Sequence, residues 1–290
     1  MPDIWALAAV VSKTLLYFGV LTSGGLILVR FVFASEVAAV LPVMRKYAVL
    51  CAILGLAAAG ISFALRGAAL TGDASGLTDP DMLGLMWQTS VGTALLLRVI
   101  GLSLVLAGLL VGGLGWGLAG LGVLTALWSF ITIGHLSDDI GLWARLVLLT
   151  HLLAVAFWIG VLLPLNRLTI TTGDTVLAAR LGHRFGQIAT VVIPSLIAAG
   201  VVLGWLLVGS WTHLFTTAYG LNIIAKLCLV AGLLGLGVLN KLRIVPELIS
   251  GNAQAAVYLS KTVSMEWLVF VAVLLATAAL TTLFALPGKL

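Results

Sequence analysis

The chain has 290 residues, of which 62% are hydrophobic and only 9% charged, whereas about 25% of an ordinary soluble protein is charged. A water-soluble globular protein is therefore excluded. At about 20 apolar residues per bilayer crossing, the length accommodates roughly eight to ten spans and no folded extramembrane domain. The formal charge of +5 is carried by Lys and Arg residues spread singly, without the basic run that tracks phosphates, so nucleic acid is not an expected partner.

Apolar runs broken by Gly, Pro or charge place eight segments in chain order, at 4–33, 44–65, 88–111, 115–133, 142–165, 187–208, 221–239 and 265–285. Unpaired backbone groups are not tolerated in hydrocarbon, and none of these runs alternates with the period of a membrane barrel strand. The expected fold is all-α, a polytopic transmembrane bundle of eight helices forming a single domain over 1–290. Asp3 and the lack of a cationic stretch before the first segment argue against a cleaved signal peptide. Cys51 and Cys228 both fall inside apolar runs, which predicts free thiols rather than a disulfide. The Gly112-Gly-Leu-Gly115-Trp-Gly117 stretch has no strand before it and reads as a tight turn, not a nucleotide loop.

Orientation follows from the basic residues. Arg30, Arg45 and Lys46 flank the first connection, Arg167, Arg180 and Arg184 the fifth, and Lys241, Arg243 and Lys261 the seventh, while Arg66 and Lys289 fall on the other side. The first group marks the cytoplasm, so both termini face outward. A weak internal repeat pairs Thr89-Ser-Val-Gly92 and Arg98 with Thr217-Ala-Tyr-Gly220 and Lys226 at the same spacing. It fits two parallel four-helix repeats, 1–135 and 136–290, with a site where the halves meet. The abundant Gly and Ala also have a plainer reading, as small residues that let helices approach.

Lys13, Arg98, Arg145 and Lys226 all fall in the outer half of their segments. Intramembrane cations usually face a bundle interior or a wet cavity, so they read as lining a cavity open to the outside. For Arg145, near its segment end, snorkelling is an equal alternative. His135 closes the fourth segment. His151 lies two to three turns into the fifth and shares a helix face with Trp158, which makes it the foremost functional candidate. His183, in Arg180-Leu-Gly-His-Arg184, reads as part of a solvated basic loop, and His213, between Trp211 and Phe215, as part of an interfacial aromatic belt.

In the second connection, Asp79-Pro-Asp-Met82-Leu-Gly-Leu-Met86 would, if helical, set Met82 and Met86 one turn apart on one side. Thioether and imidazole donors suit copper, Cu(I) ahead of Cu(II), although methionines at this spacing also fill packing gaps. The candidate metal residues are thus His151, His135, Met82 and Met86, with Cys228 as a later thiol station. No P-loop, His-Glu-x-x-His or Cys-x-x-Cys signature is present, so an enzyme is not expected.

Gly134-His135, the His151-Leu-Leu-Ala-Val-Ala-Phe-Trp158-Ile-Gly160 run, Thr217-Ala-Tyr-Gly220 with Lys226, and Glu266 at the opening of the last segment together resemble the bacterial copper-resistance protein D family (CopD, PcoD). The likeness lies mainly from about residue 130 onward. It implies copper transfer from the periplasm across or into the inner membrane, with a separate periplasmic copper-binding protein as donor. On the matching positions it implies His135 and His151 as metal ligands or entry residues and adds Trp158, Lys226 and Glu266 as motif positions; with Arg98 and Lys13, read above from their depth, these are the expected cavity or path residues.

Three functions fit these residues: a copper importer with a His/Met outer site, a redox protein whose histidines hold haem or contact quinone, and a non-transporting component of a copper system. A Soret band would mark the second, and copper uptake independent of the protein the third.

Overall fold

In hydrocarbon the backbone of a long apolar run has no polar partner but itself, and the described residues accordingly form helices and no strand. The computed structural model describes residues 4–133, 141–170 and 174–284. In chain order these form α1 (Ile4–Val32), α2 (Leu41–Thr71), α3 (Pro80–Trp87), α4 (Ser90–Val111), α5 (Gly115–Trp128), α6 (Leu142–Ile170), α7 (Thr175–Val208), α8 (Trp211–Thr216), α9 (Ala218–Leu239), α10 (Val245–Ile249) and α11 (Ala253–Leu283). A π-helical turn, Asn240–Ile244, joins α9 to α10.

Among the described residues, seven helical stretches are long and apolar enough to cross a membrane. The 115–133 segment contributes a shorter helix, α5, of 14 residues. Its last residue is Trp128, and at its C-cap the Ser129 hydroxyl bonds back to the Ala126 carbonyl at 2.6 Å and accepts from Arg98 Nε at 3.1 Å. Such side-chain bonds compete with helix continuation.

Two helices begin well before their apolar runs. Asp174 caps α7 by accepting from the Leu177 N–H at 2.9 Å, and Leu177, Leu181, Phe185 and Ile188 then pack on the core at helical spacing. His183 and Arg184 are therefore helical rather than part of a loop, with His183 Nε2 3.2 Å from Gln187 Nε2. Asn252 caps α11 in the same way. The sixth connection holds the short α8, capped by Ser210, which exposes Trp211 and Phe215. Gly112 and Gly113, at φ 67° and 51°, make the tight α4–α5 turn in a conformation that favours glycine.

α1 is the central post and packs against α2, α5, α6 and α11. Lipid offers no hydrophobic drive between helices, so close approach relies on small residues. At the α1–α6 crossing a Cβ on Gly160 would come 2.2 Å from the Gly25 backbone, and on α1 a Cβ at Gly19 would meet Gly55 of α2 at 2.6 Å. Both crossings are backbone against backbone.

On the side where α1 ends and α2 begins, Glu36 is only 3% exposed and pairs with Arg184 of α7. Arg184 lies over the Phe33 ring, and Phe33, Phe157 and Phe185 stack in sequence. Burial pushes the Glu36 carboxyl up, but hydrogen bonds from Arg184, Ser35 and its own backbone outweigh this and hold it below its ordinary range.

Candidate functional site

Near the middle of α6 and α11, Trp158 and Glu266 are 3% and 2% exposed. Trp158 Nε1 donates to Glu266 Oε2 at 3.0 Å, and Asn240 Nδ2 donates to Oε1 at 2.6 Å. The Thr262 hydroxyl, one turn before Glu266, donates to Asn240 Oδ1 at 2.6 Å and so orients the amide with its NH₂ toward the carboxylate. Phe270 packs edge-on against Trp158, with centroids 5.7 Å apart. The π turn allows this arrangement: it turns Asn240 into the interior while its neighbours Lys241 and Arg243 stay exposed, and such turns recur at functional sites.

Both groups facing Glu266 are neutral donors, and among the described residues no cation forms an ion pair with it. A buried acidic side chain without a cation is costly to ionise and marks a candidate functional position. It borders a cavity of about 250 Å³ between α6, α7 and α9, lined also by Trp158, Phe185, Ile193, Asn240 and Lys241. The stem of Lys241 lies over Gly186 at this cavity.

His151 sits two turns along α6 from Trp158, half-buried. Its ring packs against α7, where a Cβ on Gly200 would come 3.5 Å from it; its Nδ1 is buried without a hydrogen bond of good geometry, and the Leu196 backbone of α7 is the polar group that acts on the ring. Lys226 of α9 is close enough for its charge to act on the imidazole. One turn from Lys226, Asn222 Oδ1 is likewise buried without a partner.

The remaining candidates lie apart. Met82 and Met86 are on α3, helical as the spacing requires and capped by Asp79; Met86 is buried and Met82 half-buried. α3 packs on α2 and α4, whereas α6 packs on α1, α7 and α11, so α1 stands between the thioethers and His151. Cys228 is an exposed free thiol on α9, and Cys51 a buried one on α2. Lys13 and Arg98 lie in the N-terminal halves of α1 and α4, Lys13 bonded to the Thr281 carbonyl and Arg98 to Ser129. His135 lies outside the described residues. Among the described residues no group of three or more His, Cys, Asp or Glu gathers as a metal cluster.

Asn240 and Thr262 were not foreseeable from apolar runs, because both lie just outside the segments that hydropathy marks. A signal was nevertheless available: Thr262 and Glu266 are one helical turn apart.

Among known families, the model of copper resistance protein D matches residues 179–280, and that of the copper resistance protein D-like N-terminal domain matches residues 1–146. Comparison with curated proteins and with solved structures finds no match.

Proposed function

The chain belongs to the copper resistance protein D family, a multi-pass copper-resistance membrane protein, and from that premise we propose that it carries periplasmic copper inward across the inner membrane. A separate periplasmic copper-binding protein delivers the ion, and the chain acts as a conduit rather than a catalyst. Met82, Met86 and His135 form the outer capture stations. His151 receives the ion at the α6–α7 contact, Glu266 of α11, held by Trp158 two turns along α6, is the next station, and the cavity beside it leads to the Lys241 and Arg243 end of the bundle. In this reading both termini face outward, which the distribution of basic residues supports.

The observation that carries this reading is the alignment on one helix of a buried imidazole nitrogen that makes no well-formed hydrogen bond and, two turns on, the indole that holds a buried acidic side chain without a cation. Imidazole suits copper, and a buried anion lowers the cost of a cation in the low-dielectric interior. The separation of the thioethers from His151 is accommodated by successive stations rather than one shared site.

Proteoliposome flux with quantified copper tests the proposal. The His151→Ala protein, monodisperse and folded, is expected to lose at least about tenfold in flux, the loss of a single good ligand interaction. Unchanged flux would remove His151 from the path, and no flux in the wild type would leave a non-transporting role. A Soret band in the purified protein would instead favour the haem reading.

A further inference from the structure

On the other side of α1, at the end of the bundle that carries the N-termini of α1 and α4, three cations converge. The Ser12 and Ser62 hydroxyls lie 2.7 Å apart at the α1–α2 contact, which sets Arg66, one turn beyond Ser62, beside the stretch of α1 that carries Lys13, while Tyr17, one turn after Lys13, shares the Phe130 ring with Arg98 of α4; the charges of Arg66 and Arg98 both act on Lys13. Arg98 is only 9% exposed.

Neutral groups hold two of them in place. Lys13 Nζ donates to the Thr281 carbonyl at 3.0 Å, and Arg98 Nε donates to Ser129 Oγ at 3.1 Å. The Arg98 guanidinium lies 5.0 Å from the centroid of Phe130. Tyr17 stacks on the same ring at 5.2 Å and brings its hydroxyl within 3.4 Å of Thr281 Oγ1. Each bond uses one donor and leaves the rest of the ammonium or guanidinium fork to another acceptor.

No acid pairs with any of the three among the described residues. The ion pairs found there, Arg184 with Glu36 and Arg243 with Glu247, are at the opposite end of the bundle. Asp138 and Asp139, which follow Phe130 in the chain, lie outside the described residues. Three like charges, Arg98 buried and Lys13 and Arg66 half-buried, repel one another and favour a counter-charge. Two guanidinium forks and an ammonium match an acceptor that is polyoxygenated and anionic.

We infer that Lys13, Arg66 and Arg98 form a receptor for a phosphate oxyanion, the group common to inorganic phosphate and an anionic phospholipid headgroup. The inference does not depend on the path of copper. The site is built into the fold, because Ser129 at the C-cap of α5 is itself buried and positions Arg98.

Two arms of one experiment separate the sources. Calorimetry of the detergent-purified protein with inorganic phosphate, against chloride at equal ionic strength, reads the soluble anion. Native mass spectrometry of protein released from phosphatidylcholine nanodiscs with and without phosphatidylglycerol reads the lipid. Specific binding in either arm is expected, weakened about tenfold or more by Arg66→Gln or Arg98→Gln. Arg66→Gln is the safer variant for folding, since Arg66 is only half-buried. Binding in neither arm, or wild-type affinity in the folded Arg66→Gln protein, overturns the inference.

Discussion

Trp158→Phe combined with Glu266→Gln isolates the bond at the centre of the site. The first change removes the indole N–H and some packing; the second keeps the side-chain volume but replaces a carboxylate oxygen with an amide NH₂. Interhelical hydrogen bonds in bilayers average about 0.6 kcal/mol and reach about 1.7, because the unfolded chain in the membrane also finds partners. Bonds to charged acceptors in soluble proteins are worth about 1.5–3 kcal/mol. A 3.0 Å contact to a carboxylate that is 2% exposed belongs at the top of the membrane range, so the coupling energy should be about 1.5 kcal/mol, close to tenfold in the unfolding equilibrium. The packing lost with the indole enters both arms of the cycle and cancels. Unfolding of the wild type, both single variants and the double variant in detergent measures it. Because the glutamine keeps a carbonyl oxygen that can accept from the indole, effects that add to within about 0.3–0.5 kcal/mol would show that the carboxylate charge adds nothing to the bond. In the flux assay Glu266→Gln, which removes the charge, should be worse than Trp158→Phe, which only frees its position.

Other consequences can be checked separately. Gly160→Leu forces a branched side chain into a crossing where even a Cβ would sit 2.2 Å from backbone, and should abolish folded protein at well over the usual 1–3 kcal/mol of overpacking, roughly; Gly232→Ala, with nothing within 4 Å, should leave yield and melting temperature unchanged. The Glu36 carboxyl is held below its ordinary range, so its stabilisation is complete above the unfolded carboxylate value of about 4 and is lost as pH falls through the lowered folded value. Amide exchange in the α1–α2 connection should rise on that acid limb, and Glu36→Gln should flatten the dependence. Replacing Met82 and Met86 together by Leu should weaken Cu(I) binding more than Cu(II), as read by competition with chelators of each ion; equal losses would count against thioether ligation.

The helical bundle was legible because composition and unbroken apolar runs leave little choice in lipid. Helix ends were less so. Hydropathy ends at the membrane face, whereas α7 and α11 continue past it, held by the Asp174 and Asn252 caps and by apolar residues three and four apart. Of the central cluster, Trp158 and Glu266 could be singled out by residue type, but their contact joins helices 108 positions apart. Asn240 depends on a π turn that no propensity marks. The placing of Met82 and Met86 across α1 from His151 is a question of lateral neighbours, on which a one-dimensional pattern of hydrophobicity is silent. The convergence of Lys13 with Arg98 could be suspected from their shared depth, while the place of Arg66 beside them required the packing of α2.

The glycine contact between α1 and α6 has a mechanical meaning. Where two backbones touch with no side chain between them, neither helix can slide or roll without a steric collision, so this seam behaves as a fixed hinge pin in the molecule. α7 and α9 have no such anchor: their spans are the least enclosed, 22% and 6% buried. Any widening of the chamber beside Glu266 is therefore a swing of those two outer staves against a stationary axle.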